Sequence, residues 1–308
     1  MRWLGLVLAC LLPGSVAAGT PVVVERGSVG QDVLVLGRIS DDPKAHFEQL
    51  KPLLDYVVPR LRDVGITSGR ILMAHDPQQM SSYLRRGQVD WFTETTSTAT
   101  FLQQRAGAQP LLWTERNGVS WYETLILVRR DSGIDSVAQL RSRRIAFQRT
   151  TSTSGYVVPA ATLLDAGLPL EILLSPKDRP SPDAVGYLFA GSELNVVTWV
   201  HKRLADAGAI SSVEWDDGRL PASFRADMRV LLRTAPFPRG LEMVRGNLDA
   251  RVRQRLREVL LQAADDPAAA PALRSFFGTT RFLALDDAAR RSLEHIAASG
   301  RRVRETLE

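Results

Sequence analysis

Five consecutive hydroxyl residues, Thr150 to Ser154, run into Gly155 and Tyr156 and then into the apolar-patterned segment "VVPAATLLDAGL". Serine and threonine are good helix N-caps because their side-chain oxygens accept from the free amides of the first turn. One cap residue is enough for that purpose. Several hydroxyls plus a glycine offer more: first-turn amides, the positive end of the helix and donated O–H groups can converge on one anion. Hydrogen bonds to a charged group are worth about 1.5–3 kcal/mol each, so such a pocket can hold a tetrahedral oxyanion without a lysine. Local chemistry also allows a plainer outcome, a capped helix or a flexible turn. Arg149 is adjacent in sequence, with no pattern to fix its direction.

Other chemistries find less support. His46, His75, His201 and His295 are scattered without ligand spacing, so no metal site is expected. There is no phosphate loop of the Gly-x4-Gly-Lys type and no Gly-x-Ser-x-Gly elbow. A secreted hydrolase stays the weakest reading, since a Ser-His-Asp triad is not recognised by spacing. Asp41 and Asp42 precede an apolar-periodic segment and read as helix-start electrostatics rather than calcium ligands. No cofactor is expected.

The elements that must position the hydroxyl run alternate in kind. "VLVLGRI" (33–39) reads as a buried strand, and "PKAHFEQLKPLLDYVVPRLRDVG" (43–65) as a helix with its apolar residues at helical spacing. "GRILMAH", "VDWFT" and "PLLWTE" read as strands, with helices over "DPQQMSSYLRRGQ" and "TSTATFLQQRAG" between them. This βαβαβ order implies a parallel sheet with crossover helices. A second α/β unit starts near Val119 with one long strand, "SWYETLILVRRDSG", and continues through "RIAFQ", the hydroxyl run and its helix, "LEILLS" and "AVGYLFAGSELNVVTWVHKRLADAGAI". "MRVLLRTAPF" reads as a strand leaving that unit, and the remainder as helical. Two α/β lobes with a cleft between them follow, and clefts between domains are common ligand sites.

The chain has 308 residues, 44% of them hydrophobic, enough to bury the cores of about two domains. Arg2, the apolar run "WLGLVLACLLPGSVAA" and the small residues Val16 to Ala18 read as a cleavable secretion signal over residues 1–18. Cys10 is the only cysteine, so cleavage after Ala18 leaves a mature protein with no thiol or disulfide. That combination fits a bacterial periplasm. An uncleaved membrane anchor and a lipoprotein attached through Cys10 are the other possibilities for this segment. The net charge of +5 comes with no aromatic-interleaved basic stripe, so no nucleic-acid partner is expected. The boundaries are a signal over 1–18, the first lobe over 19–118, the second over 119–225, and a return to the first lobe with C-terminal helices over 226–308.

The segment "RRDSGIDSVAQLRSRRIAFQRTTSTSGYVVPAATLLDAGL" resembles the PhnD-like family of periplasmic binding proteins for phosphate, phosphite and phosphonate. Asp131 to Ile134, Ile145 to Phe147, and Ser152 to Tyr156 with Pro159 carry the likeness, and the "STSGY" block is its most specific part. "GQVDWFTETTSTATFL" and "ADAGAI" (205–210) extend it over nearly the whole mature chain. The resemblance implies a type 2 periplasmic binding protein fold whose two lobes close on a ligand by a hinge. It implies a monomer that captures a small oxyanion for an ABC permease, and no enzyme. The same fold also serves as an extracytoplasmic sensor docking on a membrane signalling protein. By matched position, Thr151, Ser152, Thr153, Ser154, Gly155 and Tyr156 face the ligand from the second lobe, and Glu94, Thr95, Thr96 and Ser97 from the first. Tyr122, on the strand between the lobes, and Asn195 complete the expected set. The loop "TETTS" departs from the family pattern, which has Gly-Pro or an aromatic there; a carboxylate at Glu94 repels a dianion, pairs with a ligand amine, or sits outside the pocket.

Overall fold

The computed structural model describes residues 32–218 and 220–307. The expected signal segment 1–18, with Cys10, lies outside them. The first lobe opens with β1 (Val33–Ile39), β2 (Ser68–Ala74), β3 (Trp91–Glu94) and β4 (Gln109–Arg116). A short strand, β5 (Trp121–Tyr122), leads to the second lobe, built on β6 (Thr124–Arg129), β7 (Arg144–Phe147), β8 (Leu170–Ile172), β9 (Val185–Phe189), β10 (Ala207–Ser211) and β11 (Met228–Arg233). The chain returns through β12 (Phe237–Pro238) and adds β13 (Leu241–Val244) and β14 (Thr279–Leu283) to the first lobe.

The two sheets have six strands each, in the orders β14-β4-β13-β3-β1-β2 and β11-β6-β10-β7-β9-β8. β1 lies parallel to both β2 and β3, as the alternating helices require. The sheets are mixed rather than all parallel: β13 inserts antiparallel between β3 and β4, and β6 is antiparallel to β10. β5 and β12 pair antiparallel with each other, Tyr122 opposite Phe237, and form the two-stranded bridge between the lobes.

Three expectations change here. The chain after Phe237, expected to be helical, also contributes the strands β13 and β14 to the first sheet. The long strand predicted over "SWYETLILVRRDSG" breaks at Glu123, whose N–H turns to the hydroxyl of Ser212 at 3.0 Å. That break lets the chain pass from the bridge into the second sheet. Residues 226–308 were expected to belong to the return, yet Met228–Arg233 pairs antiparallel with β6 as an edge strand of the second lobe. Alternation alone does not say which neighbour a strand pairs with.

Each sheet buries both faces. In the first lobe, Leu34, Leu36, Leu53, Leu54 and Trp91 pack on one side, and Val35, Phe92, Leu102 and Met243 on the other. In the second, Ile126, Phe147, Tyr156 and Leu163 form one core and Leu125, Leu127, Val196 and Ile210 the other. Burying each such side chain contributes about 1.5–3 kcal/mol. The first helix, Pro43–Val57, starts at Asp42, whose carboxylate accepts from the Ala45 N–H, with Pro43 in the first turn. The C-terminal helix, Asp287–Leu307, runs along both lobes. Its Ala289 and Leu293 join the first-lobe core, Ile296 a small cluster with Tyr122 and Phe237 at the bridge, and Val303 the second-lobe core.

Candidate functional site

The hydroxyl run follows the carboxyl end of β7 and opens a helical segment. The first turn, Thr153–Val157, is a wide π turn, and the α-helix continues over Val158–Asp165. Pro159 explains part of this geometry. It has no N–H for the carbonyl of Gly155 four residues earlier, and that carbonyl accepts instead from the Gln148 N–H at 2.9 Å. The Ser152 hydroxyl caps the turn, accepting from the Gly155 N–H at 2.9 Å. Glycine is required at 155, since a Cβ there would lie 2.6 Å from Cβ of Gln148. Wide turns of this kind recur at functional sites.

A second helix start faces the first one. β3 ends at Glu94, and the helix Thr96–Ala106 begins directly after it in the first lobe. The side chain of its N-cap, Thr95, makes no capping bond. Thr153 of the other lobe takes that part: its Oγ1 accepts from the Ser97 N–H at 2.9 Å and donates to Ser97 Oγ at 2.9 Å. The Thr95 and Thr98 hydroxyls donate to the Thr151 carbonyl at 3.0 and 3.3 Å. The Thr96 hydroxyl donates to the carbonyl of Pro238 on the bridge. Two helix N-termini thus meet across the cleft, and both present their positive ends to it. Thr151 to Ser154 and Thr95 to Ser97, placed in separate lobes by the sequence, lie together.

Beside this contact lies a cavity of about 400 Å³, lined by Arg38, Ser40, Asp41, His46, Glu94 and Arg149 among others, with Thr95, Thr151 and Ser152 along one edge. Glu94 is buried, at 4% exposure. Its Oε1 accepts from the Ile39 N–H at 2.9 Å, while Oε2 has only longer contacts, 3.4 Å to the Thr95 N–H and 3.5 Å to Arg38 Nη1. Arg38 itself donates to the Thr93 carbonyl at 2.7 Å. Arg149 crosses the cleft to Asp41 and also donates to the Gly191 carbonyl. That guanidinium holds the Asp41 carboxyl below its usual range. Asp41 therefore serves the interlobe contact, a correction to its expected helix-start role, which Asp42 alone fills. His46 pairs with Ser40 at 2.6 Å, and its pKa is lowered first by burial and then by the Arg38 charge.

Beneath the cleft, Arg38 and Arg116 both stack on Phe277, at 5.0 and 4.8 Å from the ring centroid. Burial brings the pKa of Arg116 down to about 10 and raises that of Glu242 to about 7. Glu242 accepts from Trp91 Nε1 at 2.6 Å.

The remaining expected residues are placed as follows. Tyr122 is buried on β5, its ring edge-on to that of Phe237 with the centroids 4.6 Å apart. Burial is the main cause that pushes its pKa up to about 12. The Ser154 carbonyl accepts from Thr124 Oγ1 at 2.9 Å. Tyr156 lies in the second-lobe core among Phe147, Tyr187 and Phe189. Asn195 is exposed on the helix Glu193–His201, outside the cavity lining, and its amide donates to the Ala190 carbonyl at 2.8 Å. Arg38, Ser40 and His46 were missed by sequence reasoning. Arg38 and Ser40 flank the carboxyl end of β1, where open α/β sheets place their ligand loops, and that rule could have found them. Among the described residues no group of three or more His, Cys, Asp or Glu is placed to hold a metal ion.

Known proteins agree with this architecture. The model of the family "ABC transporter, phosphonate, periplasmic substrate-binding protein" matches residues 37–289. XAC2383 from Xanthomonas citri is similar in two solved structures. Bound to chloride ion, it is 57% identical with a TM-score of 0.85, over 89% of this chain and 99% of that one. Bound to ATP, it is 56% identical with a TM-score of 0.86, over 90% of this chain and 100% of that one. PhnD1 from Prochlorococcus marinus (MIT 9301), in complex with methylphosphonate, shares the fold at 16% identity and a TM-score of 0.65, over 89% of this chain and 99% of that one. The chain belongs to the phosphonate family of periplasmic substrate-binding proteins of ABC transporters, with the type 2 two-lobe fold.

Proposed function

We propose that the protein captures a small phosphorus oxyanion, free or as the end group of a larger phosphate ester, by closing its two lobes on it. The observation that carries this reading is the meeting of two helix N-termini across the cleft, each edged with hydroxyls: Thr95, Thr96 and Ser97 on one side, Thr151, Ser152, Thr153 and Ser154 on the other. Amide and hydroxyl donors of this kind hold a tetrahedral anion by charge-assisted hydrogen bonds. In this reading Gly155 and Tyr156 shape the turn, and Tyr122 packs with Phe237 in the bridge cluster. Glu94 borders the site, and Asn195 stands outside it. The ATP-bound relative supports a phosphate-bearing ligand. Capture is reversible and involves no bond breaking. The liganded protein, exported by its leader to the periplasm, hands its cargo to a permease as a monomer.

The test is isothermal titration of refolded, ligand-stripped mature protein with phosphate, phosphite, methylphosphonate, 2-aminoethylphosphonate, ATP and sulfate. Submicromolar affinity for a phosphorus species is expected. The Ser154→Ala variant should lose about tenfold or more, since one charge-assisted bond goes. Absence of binding across the phosphorus ligands would refute the reading.

A further inference from the structure

The cleft cavity is unusual for an anion site in its charge balance. Two arginines line it, Arg38 and Arg149, and each is matched by a carboxylate, Glu94 and Asp41 respectively. His46 is held towards its neutral form by burial and by Arg38. His75, also on the lining, is exposed. No cation of the lining is left uncompensated to neutralise a dianion. The Arg149–Asp41 pair is half open to solvent, with side-chain exposures of 45% and 64%, so water screens it. Glu94 differs: it is 4% exposed, in the same low-dielectric position as the hydroxyl edge.

An ionised carboxylate accepts hydrogen bonds and donates none. One oxygen of Glu94 is committed to the Ile39 amide at 2.9 Å. The other, Oε2, has contacts only at 3.4 and 3.5 Å, beyond a good hydrogen bond, so Glu94, which lines the cavity, retains acceptor capacity. An oxyanion seated at the helix starts is bordered by Glu94, which lines the same cavity as Thr95, Thr151 and Ser152. A fully deprotonated ligand brings only acceptors there, and the encounter is repulsive. A ligand that keeps one acidic proton fills the vacancy with a P–O–H···O bond. Sites built to hydrogen-bond a ligand hydroxyl reject the analogue lacking it by large factors.

We infer that Glu94 is a specificity-determining residue, selecting oxyanions that carry an ionisable proton (phosphates, phosphonates, phosphite) over sulfate and sulfonates of the same shape. This inference rests on the oxyanion reading proposed above, and it assigns the selection to one atom, Glu94 Oε2.

Methylphosphonate and methanesulfonate separate the proton from shape and charge. At about pH 5, below the second ionisation of phosphoryl groups near pH 6, both are monoanions of nearly one shape, and only the phosphonate has an O–H. Wild-type protein should bind methylphosphonate at least about a hundredfold more tightly than methanesulfonate. In Glu94→Gln, which keeps an acceptor for the Ile39 amide and gains a donor, the ratio should fall to about tenfold or less, chiefly by stronger methanesulfonate binding. The wild-type comparison stands on its own should that variant fold poorly. Equal wild-type affinities for the two ligands overturn the inference, as does a ratio unchanged in Glu94→Gln; in both cases the oxyanion reading survives. Wild-type protein that binds no phosphorus ligand removes the reading and the inference together.

Discussion

Thr153→Val tests the cross-lobe contact most directly. Valine keeps the β-branched shape of threonine and removes only the hydroxyl, which makes two bonds to Ser97 at 2.9 Å each, one to its N–H and one to its Oγ. Thr153 is 1% exposed and Ser97 6%, so water does not replace the lost partner while the lobes are together. At about 1 kcal/mol per bond the closed form loses about 2 kcal/mol. In the open form the Ser97 amide faces solvent and loses nothing. Since 1.4 kcal/mol is a factor of ten, the closed-to-open ratio should drop about thirtyfold. Small-angle scattering of the ligand-free protein reads this ratio without any ligand contact being involved. The variant should show a larger radius of gyration than wild type, and a single-residue control on the outer surface, Arg301→Ala, should not. Scattering profiles that superpose for wild type and Thr153→Val would refute the assignment of Thr153 to closure.

Two further outcomes follow from charge. Asp41→Asn should weaken ligand affinity by less than about fivefold at physiological salt, because exposed pairs contribute about 0–1 kcal/mol. The Asp41 pKa is depressed in the structure, so its contribution is full above the ordinary aspartate pKa and is lost only as pH falls through the lowered value; wild type and variant should differ by a constant factor above about pH 5, read by titration calorimetry. Glu242 has the opposite sign. Burial raises its pKa from 4.5 to about 7, so the folded state holds a proton that the unfolded chain releases between those values. Stability from this group falls as pH rises through that window, by a term on the order of 3 kcal/mol. Glu242→Gln, which can still accept from Trp91, should melt higher than wild type above about pH 7 and show a flatter pH profile in calorimetry. A variant less stable than wild type at both ends of the window would contradict this account.

Much of the architecture was legible because both lobes follow local rules. Alternating strands and helices, the acidic start of the first helix, and its apolar stripe all read from spacing of a few residues. The hydroxyl run was legible as a helix start for the same reason. Its partner in space was not: that Thr153 would cap the helix at Thr96 depends on how two lobes settle, 56 residues apart in sequence. Arg38 escaped notice because a single arginine at a strand end has no periodicity to mark it. Asp41 and Asp42 look alike in sequence, yet one caps a helix and the other reaches Arg149 across the cleft, a distinction made only by backbone direction. Met228–Arg233 was misassigned because edge-strand membership depends on pairing with β6, about a hundred residues earlier.

The strand order also dictates a timetable for folding. Every strand of the second lobe, from Thr124 to Arg233, comes from one continuous stretch of chain. The first lobe has no such independence: β13, which arrives only at Leu241–Val244, sits between β3 and β4 in the middle of its sheet. Until it is available, β3 and β4 have unpaired edges, and exposed edges invite pairing with other chains. Long-range closures of this kind are slow. The lobe that begins the chain is therefore completed last, and its waiting edges, rather than the ligand cleft, mark where truncated or newly translocated chains are most prone to aggregate.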